Sequence, residues 1–442
     1  MISMEKRLND LVARLSNGQL DRREFLTRMA LIPGGVAAAA AVLPMLPAET
    51  AHAQFGPPPF SPAEGERRHA RIRAMMADKG LDCMIIPHRA GDGVNLLQYA
   101  NYVSGGGFFI FGDGAVVFPL EGDPIAVANR FPSPWISRSK PVVFEDGVQV
   151  PMGHQIVEAV EELGLENSTI GVVGTVTGSE GLNEFINDGL VTYSTWAAVV
   201  AGLPNAEFVD ISGDFGVLMA VKSEEEITAC VNAALIGEGL HEMMIETTHV
   251  GMDTGELREN VALHLLRNGA TADVQAAFFP PGPIPDGYVF NSEYGIIHDG
   301  GYCQVTLCMV VGAMSARMEA LTEVAHELMD YGAEHLRAGK RFGDLMEEME
   351  GISRRSGYWH RVPHIHGLLP MILVGPVFPA ENAPGSRTLG ADVEVQEGML
   401  FSFEPGANEG RMASAKVGAT AVVTADGLDI FNTIGTRVQQ VQ

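Results

Sequence analysis

One carboxylate near the C-terminus stands in a setting suited to chemistry. Residues 397–406 alternate apolar and polar types as a half-buried strand does, which puts Glu404 on the face opposite Phe401 and Phe403. A carboxylate held on a rigid strand can bind a metal ion or move a proton. The alternative is an edge-strand glutamate that faces water.

Histidines gather just upstream, in the run 360–367. This run contains His364, a candidate acid or base beside Glu404, because histidine titrates near neutral pH. His366, two residues on, is either an added catalytic group or a packed core histidine. Arg361 and, further along, Lys416 are candidates for holding an anionic substrate group, or else they are solvated surface charges.

A third set of polar residues lies on an apolar strand. From Tyr302 onward the alternation predicts that Tyr302, Gln304, Thr306 and Cys308 share one face. A glutamine amide there can orient a substrate oxygen or amide. Tyr302 and Gln304 are therefore predicted to bind substrate.

The elements that must position these groups read as two α/β units. Ser61 and Pro62 predict a helix start, with a capping serine and a proline in the first turn. Short apolar strands and helices follow up to about residue 215. At Ser223 the chain changes character, with a capped helix whose first turn is acidic. We predict an α/β (α+β) fold with domains at 61–217 and 218–442.

The N-terminus reads as an export signal. Arg22 and Arg23 form a twin-arginine pair, an alanine-rich stretch follows at 29–46, and Ala51–Ala53 resembles a cleavage site. We assign 1–53 to the signal and 54–60 to a linker, which predicts a periplasmic protein. An uncleaved N-terminal membrane helix is the alternative.

Composition narrows the range of partners. The 442 residues carry a net charge of −26 with no Lys/Arg-rich run outside the N-terminus, which argues against nucleic acid and anionic membranes. No later segment is apolar enough to predict stable membrane insertion, and a small-molecule substrate of either sign fits. The four cysteines lack metal-type spacing, so we predict buried free thiols.

These blocks, in this order, resemble the creatinase/aminopeptidase P superfamily, also called M24 or pita-bread. The resemblance rests on the runs 66–82, 222–227, 250–256, 301–312, 360–367 and 397–406 and covers nearly the whole chain after the signal. It implies a creatinase-like N-terminal domain followed by a pita-bread catalytic domain. It also implies a homodimer whose active site lies near the subunit interface.

The resemblance also implies a dinuclear metal site with five ligand positions. When each ligand position of the superfamily is matched to this sequence, the five residues are Glu293, Gln304, His364, Glu404 and Gly418. Glutamine is neutral and glycine has no ligand group, so the cage is degraded. The remaining Glu293, His364 and Glu404 still allow one divalent ion. We expect no metal or other cofactor, with a single divalent ion as the alternative.

Two further departures bear on the reaction. The proline-rich stretch 280–285 stands where the superfamily has an upstream histidine, and Met371 replaces another. An ordinary aminopeptidase is therefore disfavoured. The predicted catalytic residues are His364, Glu404, Glu293 and His366, and two carboxylates in one pocket should raise the pKa of one of them.

The residues and the resemblance together predict a metal-independent acid–base lyase acting on a small organic molecule. The first alternative is a creatinase-like C–N hydrolase. Further alternatives are a mononuclear Xaa-Pro metallopeptidase and a non-catalytic binding protein.

Overall fold

The computed structural model describes most of the chain after the linker. The described residues are 60–88, 98–106, 114–128, 133–141, 143–145, 148–150, 152–175, 191–275, 281–358, 365–368, 373–374, 392–409 and 413–442. The predicted export signal, Arg361, His364 and Met371 lie outside these residues.

The first unit is a mixed sheet with helices. Its helices are α1 (Pro62–Lys79), α2 (Gln98–Ser104), α3 (Gly153–Glu162), α4 (Tyr193–Gly202) and α5 (Ser212–Ala220). Its strands are β1 (Cys83–His88), β2 (Gly114–Pro119), β3 (Ile125–Val127), β4 (Arg138–Lys140), β5 (Phe144–Glu145), β6 (Val148–Gln149), β7 (Thr169–Val172) and β8 (Glu207–Asp210). Six strands pair in the order β4-β3-β2-β1-β7-β8, and β5 pairs with β6.

Helices cover both faces of this sheet. Met84 and Ile86 of β1 pack in a core with α1, α2 and α5, whereas Cys83 and Ile85 pack in a second core with α3 and α4. A strand buried on both faces is apolar throughout, which explains its sequence. As predicted, α1 is capped by Ser61, whose side chain accepts a hydrogen bond from the backbone of Glu64.

The second unit contains the candidate site. Its helices are α6 (Glu224–Thr247), α7 (Thr254–Arg267), α8 (Ala316–His335), α9 (Phe342–Ser356) and a 3-10 helix, Ile434–Thr436. Its strands are β9 (Thr271–Gln275), β10 (Tyr288–His298), β11 (Gly301–Val311), β12 (Ile365–Gly367), β13 (Leu373–Val374), β14 (Leu400–Phe403), β15 (Gly406–Glu409), β16 (Ala413–Lys416), β17 (Ala419–Val423), β18 (Leu428–Ile430) and β19 (Gln439–Val441). The sheet orders are β19-β11-β10-β9, β13-β12-β14-β17-β18 and β15-β16.

A long hairpin sets the register of the first of these sheets. Strands β10 and β11 are joined by Asp299 and Gly300, both at positive φ (44° and 80°), as a tight hairpin turn requires. The pairing puts Glu293 opposite Thr306, with Gln304 two residues before Thr306 on β11. The hairpin thus brings together polar residues that are distant in sequence.

The second sheet positions Glu404. Strand β14 lies between β12 and β17, with His366 opposite Ser402. All four residues of β14 are buried, so the prediction of a half-buried strand is wrong. The reason is that Phe401 and Phe403 pack into a large core with α8 and α9, while Leu400 on the other face packs into a second apolar cluster. Glu404 follows directly after the strand.

Buried ion pairs connect the two units. Arg68 of α1 contacts Glu64 at 2.6 Å and Glu226 of α6 at 3.2 Å, and all three side chains are buried. Residue 217, the predicted end of the first domain, lies inside α5, and that boundary stays a prediction.

The α/β fold class is confirmed, and the four cysteines are buried free thiols as predicted. No helix within the described ranges is both long and apolar enough to cross a membrane.

Candidate active site

Glu404 is the centre of a buried polar cluster. Its Oε1 atom accepts hydrogen bonds of 2.8 Å from both Gln304 Nε2 and Thr306 Oγ1. Burial alone would raise its pKa, but the charge of Lys416 and the hydrogen bond from His366 lower that pKa well below the usual range. Glu404 is therefore an ionised acceptor, and the expected rise in a carboxyl pKa does not occur at this residue.

His366 completes the other side of this carboxylate. Its Nε2 atom lies 3.2 Å from Oε2 of Glu404, and its Nδ1 atom lies 3.1 Å from the carbonyl oxygen of Gly367. Both neighbours are acceptors, an arrangement that favours the imidazolium form, in which both ring nitrogens donate. Burial alone would lower its pKa, but Glu404 raises it above its usual value. Such a ring is poised to stabilise negative charge or to donate a proton.

Lys416 lies between the two carboxylates of the cluster. Its Nζ atom forms an ion pair with Oε2 of Glu293 and lies 3.5 Å from Oε1 of Glu404. Burial alone would lower the pKa of Lys416, but Glu404 and Glu293 raise it well above its usual value. The alternative of a solvated surface charge is therefore wrong, because only 11% of the side chain is exposed.

Gln304 links the same two carboxylates through one amide nitrogen. Its Nε2 group donates to Oε1 of Glu293 and to Oε1 of Glu404. With the nitrogen so engaged, its Oε1 atom is buried and has no hydrogen-bond partner among the residues that the structure describes. A buried acceptor left open beside the cluster is a natural contact for a substrate N–H or O–H group.

The structure groups some predicted site residues and separates others. Glu293, Gln304, His366, Glu404 and Lys416 form one cluster, although their functional roles stay predictions. Tyr302 is buried in an apolar cluster with Cys230, Leu368, Leu400 and Val422 instead of joining the polar group. Arg361 and His364 lie outside the described residues.

Thr306 is a member of the cluster to which we assigned no role from the sequence. The signal was present, because strand alternation already puts Thr306 on the same face as Gln304. Its importance emerges only from the 2.8 Å hydrogen bond to Glu404, which comes from a different sheet.

Of the other ligand positions implied by the resemblance, Gly418 has no room for a side chain. At Gly418 an added Cβ would lie 3.0 Å from both the carbonyl oxygen of Phe403 and Oγ1 of Thr306, so a side chain is crowded there. Over the part of the chain that the structure describes, no three or more His, Cys, Asp or Glu residues form a group suited to a metal ion.

Comparisons with known proteins agree on the family. Residues 223–425 match the model of metallopeptidase family M24. The chain is 25% identical over 208 residues to a putative dipeptidase, YkvY, of Bacillus subtilis, covering 46% of this chain and 50% of that protein. It is 25% identical over 171 residues to a methionine aminopeptidase of Rickettsia prowazekii, covering 34% and 63%. The match thus spans half to under two thirds of these two relatives.

Solved structures agree on the fold. An X-Pro aminopeptidase from Thermotoga maritima superposes with a TM-score of 0.65 at 16% identity, covering 84% of this chain and 99% of that one. The predicted N-terminal domain followed by a pita-bread unit is confirmed. The names of these relatives lean towards hydrolysis and do not support a preference for a lyase. Over residues 223–425, the chain belongs to the M24, or pita-bread, superfamily.

Proposed function

We propose that this protein is a hydrolase that cleaves a C–N bond in a small peptide-like or amide molecule. The observation that carries the proposal is the position of Glu293, a carboxylate held between Lys416 and Gln304 at the accessible end of the cluster. Its side chain is 19% exposed, compared with 2% for Glu404. The peptidase names of the relatives support hydrolysis over elimination.

The chain's own residues supply the groups that such a reaction needs. Glu293 takes a proton from water as the water oxygen bonds to the carbonyl carbon. The Lys416 ammonium stabilises the oxygen that becomes negative, and the C–N bond breaks as the proton passes from Glu293 to the leaving nitrogen. Glu404 is a positioning residue that holds Lys416 in place and keeps it charged. His366 in turn orients Glu404.

A substrate panel tests this proposal. Purified protein is incubated with dipeptides that include Xaa-Pro, with small amides and ureido compounds, and with substrates of β-elimination, and amine release is measured. We expect amine release, and we expect Glu293→Gln to lower it by about 100-fold or more, the usual contribution of a general base. The control is Glu409→Gln, an exposed carboxylate on neighbouring strand β15.

Two results would count against hydrolysis. If the protein turns over only the elimination substrates, the result supports the predicted lyase function instead of hydrolysis. Ligands that raise the melting temperature without any turnover would favour a binding protein.

Export to the periplasm by the twin-arginine route is a further proposal, supported by Arg22, Arg23 and the site Ala51–Ala53. Cell fractionation of the full chain and of the double variant Arg22→Lys, Arg23→Lys tests it. We expect only the unaltered chain in the periplasm. Subunit pairing also stays a prediction, which light scattering of the purified protein checks.

A further inference from the structure

Lys416 occupies the space between two carboxylates that the superfamily resemblance matches to metal ligands. We propose that its ammonium takes the place of a metal cation, so that the protein carries its own cation at this point and excludes a divalent ion. This inference concerns what the site binds and does not depend on which reaction the protein catalyses.

The first support is the convergence of separate strands on one nitrogen. Glu293 comes from β10, Glu404 from the residue after β14 and Lys416 from the end of β16. These elements belong to three different sheets, yet Nζ contacts Oε2 of Glu293 and lies 3.5 Å from Oε1 of Glu404. An ammonium and a metal ion would compete for the same carboxylate oxygens.

The second support is the chemistry of the other inherited positions. Gln304 directs N–H donors at both carboxylates, and a nitrogen that donates hydrogen bonds offers no lone pair to a metal. The Gly418 position is closed by Phe403 and Thr306. Thr306 and His366 bind the remaining surface of Glu404. At the ligand positions that the structure describes, the groups therefore fit an ammonium and do not fit a dinuclear metal cage.

The third support is burial. The Lys416 side chain is 11% exposed and that of Glu404 is 2% exposed, so the charges have little water to screen them. Two neighbouring carboxylates in such a place need a positive charge. A covalently attached ammonium meets that need permanently, whereas a metal ion would have to be acquired.

The test measures metal binding of the untagged full chain and of three variants. Each protein is stripped with chelator, incubated with MnCl₂ or ZnCl₂ and desalted, and bound metal and melting temperature are recorded. The variants are Lys416→Arg, which keeps the charge, Lys416→Met, which removes it, and Lys340→Met as a control. Lys340 is a lysine paired with Glu348 far along the chain from the cluster.

We expect the unaltered chain, Lys416→Arg and Lys340→Met to retain no stoichiometric metal and to melt at the same temperature with or without either ion. We expect Lys416→Met to melt several degrees lower and to be stabilised by Mn²⁺, binding about one ion per chain. Adding Glu404→Gln to Lys416→Met should abolish that binding, which assigns it to this cluster.

The proposal fails if the unaltered chain retains about one ion per chain or melts higher with Mn²⁺. It also fails if Lys416→Met is as stable as Lys340→Met and binds no metal. Should Lys416→Met not fold, the result for the unaltered chain still decides. Because the readouts are metal content and melting temperature, failure here is distinguishable from failure of the proposed hydrolysis.

Discussion

His366 and Glu404 form a buried pair in which Nε2 lies 3.2 Å from Oε2, and the two side chains are 3% and 2% exposed. The pair connects β12 to the end of β14 and fixes the orientation of the Glu404 carboxylate. Because Nδ1 also lies 3.1 Å from the carbonyl oxygen of Gly367, both ring nitrogens face acceptors, an arrangement that favours a protonated ring.

The protonated ring predicts how stability depends on alkaline pH. The folded-state pKa of His366 is raised above 6.5, so its contribution to stability is fully present below the unfolded pKa and is lost as pH rises through the folded pKa. We expect the free energy of unfolding in urea to fall above pH 6.5, and to fall less in His366→Gln. The control is His298→Gln, at the last residue of β10. Parallel curves for all three proteins would contradict the imidazolium.

Removing the charge of Glu404 should destabilise the fold. Glu404→Gln keeps the shape but leaves Lys416 and His366 without their shared anion, and breaking a buried pair costs about 3–5 kcal/mol. Glu409→Gln, at an exposed glutamate on β15, should change stability by about 0.5 kcal/mol or less. Chemical unfolding of both variants checks this. Equal stabilities would show that the cluster does not depend on the charge.

The ion pairs of Glu64, next to the contact between the two units, predict that the stability of the fold decreases at acidic pH. Burial alone would raise the pKa of Glu64, but hydrogen bonds from Arg67 and Arg68 lower it to about 2. Its contribution, about 3 kcal/mol, is present above pH 4.5 and is lost as pH falls towards 2. Glu64→Gln should be less stable at pH 7, and the difference should vanish near pH 2. Glu66→Gln, exposed on the same helix, should follow the unaltered chain throughout.

Alanine substitutions at two glycines test how tightly α8 packs against Phe403, the residue before Glu404. At Gly332 of α8 an added Cβ would lie 2.1 Å from Cζ of Phe403. At Gly351 of α9 the nearest described atom to an added Cβ would be Arg355 Nη1, at 3.4 Å. Gly332→Ala should destabilise by about 1–3 kcal/mol through overpacking. Gly351→Ala should stabilise by about 0.5–1 kcal/mol, since alanine favours helix. Thermal melting compares the two, and a stable Gly332→Ala would mean that α8 does not fix the strand before Glu404.

Local features were predictable because they depend on residues a few positions apart. The caps at Ser61 and Ser223 and the turn after His298 follow from side-chain hydrogen bonds and backbone preferences within one turn. The α/β class and the face shared by Gln304 and Thr306 follow from periodicity. The superfamily was recognisable because several such blocks occur in order.

The sequence by itself therefore determined the elements, the family and the residue types of the candidate site. Only the tertiary structure decided that Lys416 lies between Glu293 and Glu404, that His366 faces Glu404 and that Tyr302 packs among apolar residues. These contacts join separate sheets across up to 123 positions of sequence. Their outcome depends on sheet pairing and on the balance of buried charge, neither of which a local pattern contains.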